Sequence, residues 1–249
     1  MKKLIVTTAL AVTTTLAAAG TALATPSTQI WIPSTDVQAF GTAHLNIDNY
    51  FRASGVSKIA GTGRDPNVMV IGPTVGLLPF EKLQAEIGFD YLVSGTEPAD
   101  NHPFYFHAKL GTPEDSFFTY SPALAVGIYN LGTSYRVNNQ NIAYGLAART
   151  LPVVGRISAG GYHGAESALG KGANNGLLLS WDRTMSEISD KLWMAVDYMS
   201  GNNVNGSVNF GVSWAFSKNV SLIVGYDIYK EKTLAGNNTL TTQLDINFP

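Results

Sequence analysis

The sequence predicts an all-β chain, a single antiparallel transmembrane β-barrel of about 12 strands with a polar lumen and a lipid-facing apolar band. Three observations carry this. Successive stretches alternate apolar and polar residues with period two, at the roughly 9–11 residues a tilted strand needs to cross a bilayer. The apolar face of those stretches is loaded with aromatic rings. The links between them alternate between short and longer.

The chain begins "MKKLIVTTALAVTTTLAAAGTALA". Lys2 and Lys3 form a basic start, an apolar run follows, and Ala22-Leu23-Ala24 fits the small-x-small cleavage rule. Residues 1–24 therefore read as a cleaved signal peptide, residues 25–37 as a short periplasmic N-terminal segment, and residues 38–249 as the barrel. Losing Lys2 and Lys3 leaves 14 basic against 18 acidic residues, a balance that points away from nucleic acid. Only 14% of residues are charged, against roughly 25% in an ordinary soluble domain, so little of this surface is built for water. No cysteine is present, which excludes disulfides, thiol catalysis, Cys-based zinc sites and lipoprotein attachment.

The first strand is expected at "QAFGTAHLNID", where Ala39, Gly41, Ala43, Leu45 and Ile47 oppose Gln38, Thr42, His44, Asn46 and Asp48. In "LQAEIGFDY", Leu83, Ala85, Ile87, Phe89 and Tyr91 oppose Gln84, Glu86, Gly88 and Asp90. The same reading places strands near 38–50, 67–78, 83–93, 104–111, 123–131, 141–151, 156–164, 175–183, 191–200, 207–216, 220–229 and 239–248. Short links such as Pro79-Phe80-Glu81 and Ser217-Lys218-Asn219 alternate with Gly/Asn/Ser-rich ones such as "GAESALGKGANN". Outer-membrane barrels show this pattern, with short periplasmic turns and both termini in the periplasm. The apolar face is assigned Phe89, Tyr91, Phe104, Phe106, Tyr144, Trp181, Tyr198, Phe210, Trp214, Phe216, Tyr226 and Phe248. Rings near strand ends suit interfacial girdles.

An aspartate recurs inside apolar runs, in "IGFDYL", "MAVDYM", "VGYDIY" and "QLDINF". A lone carboxylate in an apolar core is costly. A wet inner face removes that cost, because the residues on either side of each aspartate then point to lipid. Projected this way, the lumen-lining candidates are Asp48, Glu86, Asp90, His107, Lys109, Arg149, Arg156, Asp182, Asp197, Asp227 and Asp245. They either select a solute by charge or neutralise one another as a plug.

Catalysis finds little support. No Gly-x-Ser-x-Gly elbow and no His-Glu-x-x-His motif occurs, and "GTGRD" is too short for a phosphate loop. Ser158 and His163 fall on opposite strand faces. The acids are spread over several strands and no loop carries a calcium-binding pattern, so no metal and no cofactor is expected.

"STQIWIPSTDVQAFG", "LPFEKLQAEIGFDYL", "SWDRTMSEISDKLWMAVDYM" and "NVSLIVGYDIY" resemble a family of small, uncharacterised, porin-like outer-membrane β-barrels of Gram-negative bacteria. The likeness spans almost the whole mature chain. It implies export to the outer membrane, contact with outer-membrane lipid and insertion by the barrel-assembly machinery. "TLTTQLDINFP" fits that machinery's terminal aromatic signal through Phe248, although Pro249 departs from it. The expected function is a passive channel for a small hydrophilic solute, with a non-conducting structural or interaction barrel as the alternative and the oligomeric state open.

Overall fold

The computed structural model describes residues 27–98, 101–170 and 174–249. The expected leader, 1–24, lies outside the described residues. The strands are β1 (Ala43–Arg52), β2 (Val68–Gly76), β3 (Gln84–Ser94), β4 (Glu97–Pro98), β5 (Phe104–Thr112), β6 (Ala123–Leu131), β7 (Ile142–Leu151), β8 (Gly155–His163), β9 (Asn175–Thr184), β10 (Leu192–Met199), β11 (Ser207–Ala215), β12 (Val220–Tyr229) and β13 (Thr239–Phe248). Two single-turn helices, α1 (Glu166–Leu169) and α2 (Lys232–Ala235), sit in loops.

Twelve of these strands form a closed antiparallel barrel, each paired with its neighbours in sequence. The thirteenth, β4, is a two-residue extension against the end of β3. Closure comes from β1 pairing with β13, from Ala43↔Phe248 to Arg52↔Thr239. No strand of the twelve is left with an unpaired edge, which is the condition for crossing hydrocarbon with strands.

The period-two pattern sets which face is which. In β12, Ile223, Asp227 and Tyr229 are buried while Val224 and Ile228 are exposed. The outer face carries Phe89, Phe104, Phe106, Phe210 and Trp214, all exposed. Cross-strand ring pairs lie along it, Phe89 with Phe104 at 5.7 Å and Tyr91 with Phe104 at 5.1 Å. An apolar surface of this extent would be an aggregation hazard in water and is the ordinary outer face in lipid.

Two details differ from the sequence expectation. The first strand starts at Ala43 rather than Gln38. Gly41 has φ +74°, a left-handed turn that suits glycine, and upstream of it the chain turns into the barrel. Tyr144 belongs to the inner face, not the lipid face. It is buried with Ile142 and Leu146, and a local register shift in the β5–β6 pairing lies nearby.

Candidate lumen and its acid-lined cavity

Residues 27–38 lie within the lumen as a tight hairpin-like turn; the sequence reading places 27–37 in a short periplasmic N-terminal segment and Gln38 at the start of the first strand. The Gln29 N–H donates to the Ile32 carbonyl, and Thr28 bridges Pro33. Ile30 and Ile32 enter two separate apolar clusters. Ile30 packs against Trp193, Ala195 and Ile223, and Ile32 against a cluster that includes Ile142, Leu178 and Met199. Each isoleucine buried in this way contributes about 1.5–3 kcal/mol.

Polar contacts fix the segment around the barrel. The backbone N–H groups of Ile30, Trp31 and Ile32 all donate to Asp197 Oδ2, at 2.8, 2.8 and 3.4 Å. Successive N–H groups closing on one oxygen form an anion nest. Gln29 donates to Asp182, and Gln243 donates to the Ile30 carbonyl. Arg156 reaches Asp36 at 2.7 Å and Asp182 at 2.9 Å. On the far wall Lys109 pairs with Glu86 at 3.0 Å and also donates to the Asp36 carbonyl at 2.6 Å. The Gln38 N–H donates to Glu86 at 2.6 Å.

The segment leaves a cavity of about 300 Å³ along the β1–β7 side. Its acidic lining is Asp48, Glu86, Asp90 and Asp245, with His44, His107, Lys109 and Arg52. Asp245 lies 3.2 Å from His44 Nε2, and Asp90 lies 3.5 Å from His107 Nδ1. Trp31 forms part of the wall and meets Tyr50 and Tyr229 edge-to-face at 5.4 and 5.5 Å. At the end where β1 finishes, Arg52 donates to the carbonyls of Pro66, Ala235 and Asn237, tying two loops together.

The predicted lumen residues thus divide. Asp48, Glu86, Asp90, His107, Lys109 and Asp245 border the cavity. Arg156, Asp182 and Asp197 face inward but are occupied by the N-terminal segment. Asp227 is fully buried, accepts from Thr239 at 2.6 Å and does not border the cavity. Arg149 is not a lumen residue. It pairs in register with Ile157, on the outer face, and its guanidinium lies at the rim 2.8 Å from Asp115. That hydrogen bond, aided by the Tyr120 N–H, holds the exposed Asp115 carboxyl below the usual range. The cause is the same as for Tyr144: with Ile142, Tyr144, Leu146 and Ala148 inside, period-two counting puts Arg149 outside, and the sequence reading has the two faces of β7 reversed.

Sequence reasoning missed the groups on residues 27–38, among them Asp36 and the nest of Ile30, Trp31 and Ile32. The signal was "IWIP", an apolar triplet stopped by proline before the first strand. Among the described residues no group of His, Cys, Asp and Glu is placed to hold a metal.

A closed antiparallel cylinder with an apolar outer face and a charged interior is now in place. This is the architecture of a β-barrel that crosses a membrane with its strands. Solved structures similar to the barrel include the COG4313 outer membrane channel from Pseudomonas putida F1, at 14% identity, covering 85% of this chain and 97% of that one, with a TM-score of 0.47. The KdgM porin, in complex with disordered oligogalacturonate, is similar at 9% identity, 84% and 98% coverage and a TM-score of 0.49. Omp33 of Acinetobacter baumannii is similar at 8% identity, 83% and 98% coverage and a TM-score of 0.42. No family model matches the chain, and no curated protein matches it significantly. What those proteins conduct or bind is theirs alone.

Proposed function

We propose that the barrel is a passive channel for a small hydrophilic solute in the outer membrane of a Gram-negative bacterium, with the end where β1 begins and β13 finishes facing the periplasm. The observation that carries this reading is the cavity beside the N-terminal segment. It borders groups from both strand ends, from His44 near the start of β1 to Arg52 at its finish. Its acids are closely grouped and its width is far below that of a 16–18-stranded general porin. Conduction would follow the β1–β7 wall and favour cations weakly. A second reading, a non-conducting structural barrel, is favoured by the bonds that hold residues 27–38 across the lumen.

Planar-bilayer recording separates the two. Discrete single-channel steps in KCl support the channel, and their absence from refolded barrel overturns it. Under a salt gradient the reversal potential should show the cation preference. Asp90→Asn should reduce it and Asp227→Asn should leave it nearly unchanged, because only Asp90 borders the cavity. Equal effects of the two substitutions would place the conduction path elsewhere.

A further inference from the structure

We propose that the cavity is a binding site for a small solute bearing a primary ammonium group, a substrate class that rests on the channel reading for its route but not for its site. The argument is a count of donors and acceptors. The charged donors on the wall are spent. Lys109 is used by Glu86 and by the carbonyls of Ser27 and Asp36, and Arg52 by loop carbonyls. The acceptors are only partly met: Glu86 is satisfied by Lys109 and Gln38, whereas Asp90 is met through Oδ2 alone, 3.5 Å from His107 Nδ1.

The acceptors gather on β1 and β3, on either side of β2. Asn46 on β1 is in register with Gly72 on β2. A methyl group built on Gly72 would lie 2.1 Å from Asp90 Oδ1 and 2.6 Å from Asn46 Oδ1. Two acceptor oxygens therefore converge over this bare backbone, and only glycine leaves them room. The Asn46 amide donates in the other direction, to Asp48 Oδ2 at 3.0 Å. No cation among the described residues pairs with Asp48. Two like-signed oxygens facing one another are stabilised by a donor placed between them, and most by a charged one.

His44 makes an independent observation. It is only 2% exposed, and its Nε2 lies 3.2 Å from Asp245 Oδ1. With Nε2 donating to that carboxylate, a ring carrying that one proton would present Nδ1 as a lone pair. Nδ1 is buried, has no hydrogen-bond partner and belongs to a residue on the cavity wall. It too asks for a donor. Trp31 and Tyr50 also border the cavity, Tyr50 two positions from Asp48 on β1, and aromatic ring faces favour a cation over a neutral alcohol, whereas the Tyr229 ring is already met by Arg52 at 5.9 Å. A volume of about 300 Å³ limits the occupant to a small organic molecule. A sugar hydroxyl brings one donor with two acceptor lone pairs and no charge, whereas an ammonium group brings three donors, no acceptor and a positive charge.

Isothermal titration of the detergent-solubilised full chain tests this without requiring conduction. The probes are 1,4-diaminobutane and its uncharged counterpart 1,4-butanediol. The diamine should bind at least tenfold more tightly than the diol, and Asp48→Asn with Asp90→Asn should weaken it at least tenfold. The heat-modifiable gel shift reports whether that variant is folded. The diamine–diol comparison on the unaltered chain stands if it is not. Equal binding of the two probes, or no diamine binding at millimolar concentration, overturns the proposal. Single-channel steps in KCl report separately on the channel reading, so a barrel that conducts without discriminating, or discriminates without conducting, identifies which of the two has failed.

Discussion

Asp197→Ala should raise the single-channel conductance of the reconstituted barrel at least twofold and make it fluctuate. Asp197 Oδ2 is the common acceptor for three successive backbone N–H groups of the N-terminal segment, and Oδ1 accepts from Asn209 at 2.7 Å. Hydrogen bonds to a charged group are worth about 1.5–3 kcal/mol each, and an orphaned buried donor costs about 1–3 kcal/mol. Removing the carboxylate therefore costs several kcal/mol in the state where the segment is docked. Burial of Ile30 and Ile32 opposes release by a similar amount, about 1.5–3 kcal/mol each. The two magnitudes are close, so the single substitution should leave the segment exchanging between docked and released states. Adding Ile32→Ser should shift it further toward release. Limited proteolysis gives a second measure, with cleavage within residues 27–38 faster in the variant. Unchanged conductance together with unchanged proteolysis would show that the nest does not hold the segment.

The barrel itself was legible because lipid imposes one rule on every strand. Alternation with period two places each outer residue, and Phe210, Val212 and Trp214 on β11 obey it as strictly as Val224 and Ile228 on β12. The recurring aspartates were also legible as inward-pointing groups. Their partners were not. Asp182 and Asp197 face inward as the pattern requires, yet what they meet is residues 29–32, more than a hundred positions earlier in the chain. No periodicity reports a contact between a strand and an irregular segment threaded past it. The open part of the lumen was hidden for the same reason. Counting strand faces gives every inner residue equal access to water, whereas the segment covers the β8–β10 side and leaves Asp48, Asp90 and Asp245 beside the cavity. Gly72 was likewise silent in the sequence, since its role is to be absent between two side chains on flanking strands.

Arg156→Met should lower the stability of the refolded barrel by about 3–5 kcal/mol, the usual cost of removing one member of a buried ion pair. Arg156 is 11% exposed and is shared by two carboxylates, Asp36 of the N-terminal segment and Asp182 of β9. Without it Asp182 keeps the Gln29 amide and the Trp193 indole N–H, at 3.0 and 3.2 Å, and Asp36 loses its charge partner. Two like charges would then face each other in a site of low dielectric, where each strongly disfavours the other. Urea unfolding in detergent, followed by loss of the heat-modifiable band, should show the midpoint falling. Arg156→Lys should recover only part of the loss, because an ammonium group is a single point charge and lacks the planar fork that serves both carboxylates. Arg156→Met combined with Asp182→Asn should recover part of it by a different route, through removal of the opposed charge. If Arg156→Met matched the unaltered barrel in midpoint, the pairing of Asp36, Arg156 and Asp182 would be an arrangement in which desolvation cancels attraction. The N-terminal segment would then be held by its nest, its two isoleucines and its remaining hydrogen bonds to Asp182, Glu86, Lys109 and Gln243.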